Sequence, residues 1–525
     1  MDRIWRMAGI VGGLVAAPVL AQQVTVAGGT LRGTAIAGPT PVTAFLGIPY
    51  AAPPVGPLRW APPRPAARWQ GVRAAGQFGA RCMQQPLYAD MMFRSPPPRE
   101  DCLTLNVWIP AGAPKGAKLP VLFYIHGGGA IAGDGSEGRY DGASMARRGM
   151  VVVTINYRLG IFGFLATPEL ASESPKHAAG NYGLLDQAAA LEWVRRNVGA
   201  FGGNPDKITI AGESAGSMSV SVLMTSPLTR TRFARAIGES GGVLPPTFHP
   251  KPLAEAMKAG TAFAQAAGAS TLPALRAMPA EQLLAAQGQQ KFRADFILDG
   301  LFLTETPAAS YAAGRAAKVP LLVGSNSQEG AWNSILGDAA PTVTNYRAAL
   351  ERMFPGRGEQ LFALYPVASD AEVPKTAMRL ASDRFLGAST WQWFDLHRRS
   401  GQPTYYYHYR HIRPAALPPL GNSMPAPLGA VHSAEIEYAL GNLDANPLYA
   451  WTSKDRSISA TMQGYFAAFI KAGNPNAPGL PRWIPASAGS DVIKRQVIDV
   501  DTRSETFALQ AMYPRIATLL DERPQ

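Results

Sequence analysis

From residue 43 to about 240, short runs of aliphatic and β-branched residues alternate with stretches of helical periodicity. Residues 104–109, 121–125, 150–155 and 207–211 read as strands. Residues 183–197 lie between the last two, apolar at Leu184, Leu185, Ala188, Leu191, Trp193 and Val194, a spacing that suits a helix packed on a sheet. Strands alternating with helices predict an α/β fold with helices on both faces of a largely parallel sheet. The Ala-rich region 250–290 and much of 347–399 read as helices forming a layer beside that sheet. Residues 319–323, 404–409 and 496–500 read as later strands. A final long helix is expected over 454–472, stopped by Gly473-Asn474-Pro475. Repeats of 20–50 residues, the mark of a solenoid or propeller, do not occur.

The first residues follow a different pattern. Arg3 and Arg6 precede an apolar run from Met7 to Ala21 that ends Val19-Leu20-Ala21 before Gln22. A charged start, an apolar stretch and a small terminal residue read as a secretory signal over 1–21, with an uncleaved anchor as the alternative. The mature chain would begin near Gln22, outside the cytoplasm and without a membrane anchor. No later apolar run is long enough to span a bilayer.

Composition narrows the class. Of 525 residues, 47% are hydrophobic and 16% charged, which excludes intrinsic disorder and supplies a large core. Length alone suggests about three domains. The net charge is +12, but the arginines are scattered and no basic stripe interleaved with aromatics occurs, so the charge is read as surface character and no nucleic-acid partner is expected. Cys82 and Cys102 are the two cysteines. In an exported chain they are expected to pair, pinning the loop that holds Met91, Met92, Phe93 and Pro96-Pro97-Pro98.

The strongest chemical signal is Gly212-Glu213-Ser214-Ala215-Gly216, directly after the strand 207–211 and before an apolar run able to form a helix. Strand, tight turn and helix make this pattern a nucleophile elbow presenting the Ser214 hydroxyl above the sheet. His126-Gly127-Gly128-Gly129 follows the strand 121–125. It matches the oxyanion-hole motif in which two backbone N–H groups join that of the residue after the nucleophile, here Ala215. A dinucleotide site would need a helix next and an acidic residue about 20 positions on, whereas the chain continues Gly133-Asp134-Gly135-Ser136. The general base must be a histidine. His408 and His411 sit in an aromatic strand that favours packing, and His432 lies in a loop of small residues downstream. The elbow fold orders its triad as Ser, acid, His, and Glu329, right after the strand 319–323, is the natural acid.

These residues resemble the type-B carboxylesterases, which share their fold with the cholinesterases. The resemblance rests on Phe45-Leu46-Gly47-Ile48-Pro49-Tyr50-Ala51, Glu100-Asp101-Cys102-Leu103-Thr104-Leu105-Asn106-Val107, Asn156-Tyr157-Arg158-Leu159-Gly160 and Gly180-Asn181-Tyr182-Gly183-Leu184-Leu185-Asp186-Gln187, and on Phe201-Gly202-Gly203 through Gly216. It looks like a secreted, bacterial-like member. The resemblance implies one α/β-hydrolase domain over 22–525 in place of three. It implies a triad of Ser214, Glu329 and His432, a hole of Gly128, Gly129 and Ala215, and a Cys82–Cys102 disulfide. Glu213 and Ser240 would support the site. Two departures bear on substrate: Met92, with Phe93 beside it, stands where cholinesterases carry a tryptophan for the quaternary ammonium, and Ala130 replaces the bulky aromatic of many relatives.

The expected activity is hydrolysis of small-molecule carboxylic esters through an acyl-enzyme, with no metal or cofactor. An amidase, polyesterase or toxin-ester hydrolase on the same machinery is the first rival, since substrate choice lies in loops such as 83–101 and 245–300. A binding module with a degenerate hydrolase fold is the second; such modules usually lack a triad member, and here all three are present. Nothing in the pattern selects an oligomeric state.

Overall fold

The eleven strands of the principal sheet, among the described residues, run β1 (Thr34–Ile36), β2 (Val42–Pro49), β3 (Thr104–Pro110), β4 (Leu119–Ile125), β5 (Val151–Ile155), β6 (Gly203–Glu213), β7 (Arg235–Glu239), β8 (Leu321–Asn326), β9 (Thr404–Tyr409), β10 (Lys494–Ile498) and β11 (Arg503–Thr506). The computed structural model describes residues 22–114, 116–418, 426–490 and 492–521. The export signal read over 1–21 lies outside them. The spatial order is β11-β10-β9-β8-β7-β6-β4-β5-β3-β2-β1. Every pairing from β5 to β10 is parallel, and the pairings outside that block are antiparallel. This is the α/β-hydrolase arrangement.

Strands covered on both faces read as continuous apolar runs, and β5 (Val-Val-Val-Thr-Ile) is buried at every position. Successive side chains still go to opposite faces. Phe123 and Ile125 join the cluster under the helices Tyr182–Asn197, Ala215–Leu223 and Ala388–Arg399, whereas Leu122 and Tyr124 join the cluster under Ser453–Ala472. The long helix Ser453–Ala472 starts on a reciprocal cap between Thr452 and Asp455 and ends at Gly473 in the left-handed region, φ 74°.

Several expectations shift, among them the strand expected over 319–323, which is Leu321–Asn326. The strand expected over 207–211 runs Gly203–Glu213, because it pairs with β4 on one side and β7 on the other. The strand expected over 496–500 is Lys494–Ile498; Val500, 64% exposed, lies in the turn to β11. The helix Ser453–Ala472 is not the last, since Tyr513–Leu520 follows and lays Tyr513 and Ile516 into the core.

Candidate active site

The C-terminal ends of β4, β6, β7 and β8 bring the site together. At the end of β6, Ser214 adopts φ 55°, ψ −121°, a strained geometry for a residue with a side chain, and the helix Ala215–Leu223 begins at the next residue. The turn is possible because its flanking glycines lack Cβ atoms. A Cβ on Gly216 would lie 2.1 Å from the Ile125 carbonyl oxygen, and one on Gly212 would lie 2.6 Å from the Gly216 backbone. The Ser214 N–H donates to the Glu239 carbonyl at 2.8 Å, which ties the elbow to β7.

His432 reaches Ser214 from a distant loop that is laced to the end of β8. The Gln328 N–H donates to the Ala430 carbonyl at 2.8 Å, and Asn326 Nδ2 donates to the Val431 carbonyl at 2.8 Å. Gln328 Oε1 accepts from the N–H groups of Leu428 and Gly429. His432 Nε2 lies 3.0 Å from Ser214 Oγ, and Nδ1 lies 2.7 Å from Glu329 Oε2. The other oxygen of Glu329 accepts from Ser240 Oγ and from the Asn326 N–H, both at 2.6 Å. The carboxylate is thereby oriented as well as buried.

Facing Ser214, the chain after β4 turns through Gly128 and Gly129, whose φ values are 95° and 64°. The Gly128 carbonyl accepts from the N–H groups of Ile131 and Ala132. Among the described residues no protein group accepts from the N–H groups of Gly128 and Gly129, which remain available to a ligand. The N–H of Ala215, in the first turn of its helix, has no intrahelical partner either.

Four carboxylates are buried around this constellation: Glu213, Glu239, Glu329 and Glu435. Burial raises the Glu213 carboxyl above its usual range, against the pull of His432 and the hydrogen bond that Ser433 Oγ donates to it at 2.6 Å. Burial, then the Glu213 and Glu329 charges, push Glu435 up to about 8. Glu239, which accepts from the Tyr124 hydroxyl at 3.1 Å, is raised first by burial and then by Glu435. Burial pulls the His432 imidazole down, but the charge of Glu213 and the bond and charge of Glu329 outweigh it and hold it up at about 10. Glu239 and Glu435 belong to segments whose neighbours the sequence singled out; their burial was the missing signal, since nothing in the local pattern separates a buried glutamate from a surface one.

A cavity of about 550 Å³ opens over Ser214. Its apolar wall includes Met218, Val243, Phe248, Phe292, Phe296 and Phe385, the last ring lying edge-on to His432 at 5.6 Å. Ala130 is among its lining residues. Met92 and Phe93 are not, and their expected place in the pocket is corrected. Met92 is 41% exposed, and the Phe93 ring packs under the Arg81 guanidinium at 4.9 Å. The same loop instead turns Tyr88, Asp90 and Met91 inward. Cys82 and Cys102 form the disulfide that closes this loop, with Cα atoms 5.0 Å apart.

Two other histidines, His126 of the glycine motif and His411, pack against neighbouring side chains. His126 stacks on Tyr157 at 4.5 Å and burial lowers it to about 4, while His411 contacts Asp455 at 2.8 Å. Among the described residues no group of three or more His, Cys, Asp or Glu side chains is arranged to hold a metal ion, and no helix is long and apolar enough to cross a membrane.

Comparison with known proteins agrees with this architecture. Residues 20–513 match the family described as the carboxylesterase family. The chain is 35% identical to a fumonisin B1 esterase of Sphingopyxis macrogoltabida over 466 residues, covering 84% of this chain and 81% of that protein. It is 34% identical to carboxylesterase 5A of Felis catus over 521 residues, 93% of this chain and 92% of the other. A solved PNB esterase structure superposes with a TM-score of 0.80 at 31% identity, covering 96% of this chain and all of that one.

Proposed function

The chain belongs to the carboxylesterase family and is a serine-type carboxylic ester hydrolase, and we propose that its chemistry runs through an acyl-enzyme on Ser214. His432 takes the Ser214 proton through Nε2 as Oγ attacks the ester carbonyl. Glu329 holds Nδ1–H, which sets the tautomer and stabilises the imidazolium that forms. The N–H groups of Gly128, Gly129 and Ala215 receive the charge of the tetrahedral intermediate; one such donor is typically worth about 3 kcal/mol of barrier. His432 then protonates the departing alcohol, and water activated by the same imidazole releases the acid. Glu213 and Ser240 act through these groups, Glu213 by its charge and Ser240 by orienting Glu329.

The observation that carries this reading is the continuous contact from Ser214 Oγ through both nitrogens of His432 to Glu329, at 3.0 and 2.7 Å, beside unoccupied backbone donors. Rapid mixing with a p-nitrophenyl ester tests it. One equivalent of p-nitrophenol should appear in a burst before steady turnover whenever deacylation is slower, and a nucleophile such as methanol should then raise the steady rate. Absence of both under such conditions argues against a covalent intermediate.

The apolar wall suits small-molecule carboxylic esters with hydrocarbon bulk on the acid or alcohol side. We also infer that residues 1–21 direct export and are removed, a reading supported by the Arg3 and Arg6 start and by the Cys82–Cys102 disulfide, which persists best in an oxidising compartment. Amino-terminal sequencing of exported protein should begin near Gln22. Residues 22–525 are taken as one folding domain, since strands from both ends of the chain join one sheet; a single cooperative unfolding transition would accord with it, and two separate ones would not.

A further inference from the structure

Tyr88 is a polar residue beside the glycine turn that takes no part in the triad. It lies six residues beyond Cys82 in the disulfide-closed loop, and although the residue is 44% exposed, it lines the cavity over Ser214. A Cβ atom placed on Gly129 would meet the Tyr88 hydroxyl oxygen first, at 3.4 Å. Such a Cβ lies about 2.5 Å from its own backbone nitrogen by ordinary covalent geometry. The phenol oxygen therefore lies no more than about 6 Å from the Gly129 nitrogen. That is a span which one oxygen, hydrogen-bonded at about 2.9 Å to both groups, can bridge.

The phenol is otherwise uncommitted: among the described residues no side chain or backbone group hydrogen-bonds to it. It is also kept as a donor. Burial of the hydroxyl, then the nearby charges of Glu213 and Asp90, raise its pKa above the usual tyrosine value, so the proton stays on through neutral pH. The loop that places it is anchored on both sides, by the Cys82–Cys102 disulfide and by Arg94, whose side chain donates to the Ser136 carbonyl at 2.6 Å and to Asp141 at 2.7 Å. Close packing of Met91 against Gly128, where a Cβ would lie 2.9 Å from the Met91 methyl, holds the same segment against the glycine turn.

We propose that Tyr88 is an additional catalytic residue, a side-chain donor whose phenol hydrogen-bonds the oxyanion of the tetrahedral intermediate beside the Gly129 N–H. The proposal rests on Ser214 being the nucleophile and the glycine turn being the hole. The proton is not transferred: the phenol donates a hydrogen bond as the carbonyl oxygen gains charge and relaxes when the carbonyl re-forms. A donor of this kind acts on the intermediate more than on the bound ester, so it raises kcat with little effect on KM.

The test is Tyr88→Phe in the full chain, which removes one oxygen from a partly exposed side chain. Two readouts are compared: kcat and KM for a series of esters of one acid with alcohols of differing acidity, and the affinity of a trifluoromethyl ketone, which adds to the serine and forms an oxyanion. A plain amide of the same acid serves as the ground-state control. The expected result is a fall of about 10- to 100-fold in kcat, similar across the alcohols, with the ketone weakened by a comparable factor and the amide unchanged. Ketone affinity within twofold of wild type overturns the proposal, whatever happens to kcat. So does a loss confined to KM, or one that grows steadily as the alcohol becomes less acidic, which would place the phenol on the leaving group. An active-site phosphonate should label Ser214 in both proteins. Labelling in both with unchanged ketone binding defeats the Tyr88 assignment alone, and failure of wild type to be labelled at Ser214 defeats the underlying site.

Discussion

Glu213 Oε1 lies 3.3 Å from His432 Nε2, the same nitrogen that faces Ser214 Oγ at 3.0 Å. His432 is thus bracketed by carboxylates, Glu329 on Nδ1 and Glu213 beside Nε2. This favours the imidazolium of the transition state, but it also favours the imidazolium of the resting enzyme, which cannot accept the serine proton. Glu435, buried nearby, adds to the same field.

The pH dependence follows from that field. A base whose pKa is raised is protonated, and inactive, over a wider acid range, so activity should rise with pH through a limb displaced above the ordinary imidazole value of about 6.5. Glu213 is the largest influence raising it. Glu213→Gln should therefore move the acid limb of kcat/KM to lower pH, apart from any change in the plateau. A limb at or below 6.5 that ignores the substitution would contradict this.

Position 130 should govern alcohol and acid bulk. Ala130 follows Gly129 directly, sits at φ 56° and is among the residues lining the cavity. The left-handed backbone already carries a Cβ, so Ala130→Phe adds a ring rather than a new kind of strain. It should lower the ratio of kcat/KM for a tertiary-butyl ester to that for an ethyl ester of the same acid by roughly 10- to 200-fold. An unchanged ratio in a folded, active variant would show that the methyl group does not set the pocket's size.

Much of this was legible in the chain itself. The parallel strands betray themselves by runs such as Val151–Ile155, and the elbow by two glycines spaced around Ser214 that the close approach of Ile125 makes obligatory. Two separate sequence signatures prove to be one contact: Arg158, in Asn-Tyr-Arg-Leu-Gly, makes a buried ion pair with Asp186, in Gly-Leu-Leu-Asp-Gln, at 2.7 Å. What stayed hidden depends on through-space burial and on irregular loops. The resemblance to cholinesterases put Met92 and Phe93 at the pocket, but a loop without periodicity does not fix which side chains turn inward, and Tyr88 and Met91 do. The edge strands Thr34–Ile36 and Arg503–Thr506 went unread because three or four residues carry too little alternation to detect.

Breaking that ion pair should be costly. The Arg158 and Asp186 side chains are 3% and 0% exposed, and Asp186 also accepts from the Arg158 N–H at 3.0 Å. Arg158→Ala would strand a buried carboxylate and should lower stability by about 3–5 kcal/mol in denaturant unfolding. A loss under about 1 kcal/mol would mean that Asp186 finds another partner or takes a proton at little cost.

Loss of the disulfide should act mainly through the loop. Its 20-residue separation gives about 3 kcal/mol on a chain-entropy basis, a modest share for a core this large. Replacing Cys82 and Cys102 together by alanine should lower the midpoint of unfolding and speed proteolysis within 83–101. Unchanged proteolysis there would show that packing of Met91 and Arg94 suffices to hold the segment.

The most direct test of the central assignment is covalent labelling by an organophosphonate, read by peptide mass spectrometry in wild type and Ser214→Ala. The expected result is one adduct per chain, on Ser214, with labelling and ester hydrolysis both lost in the variant while its fold persists. An adduct on any other residue of the wild type, or stoichiometric labelling that persists in Ser214→Ala, would contradict it.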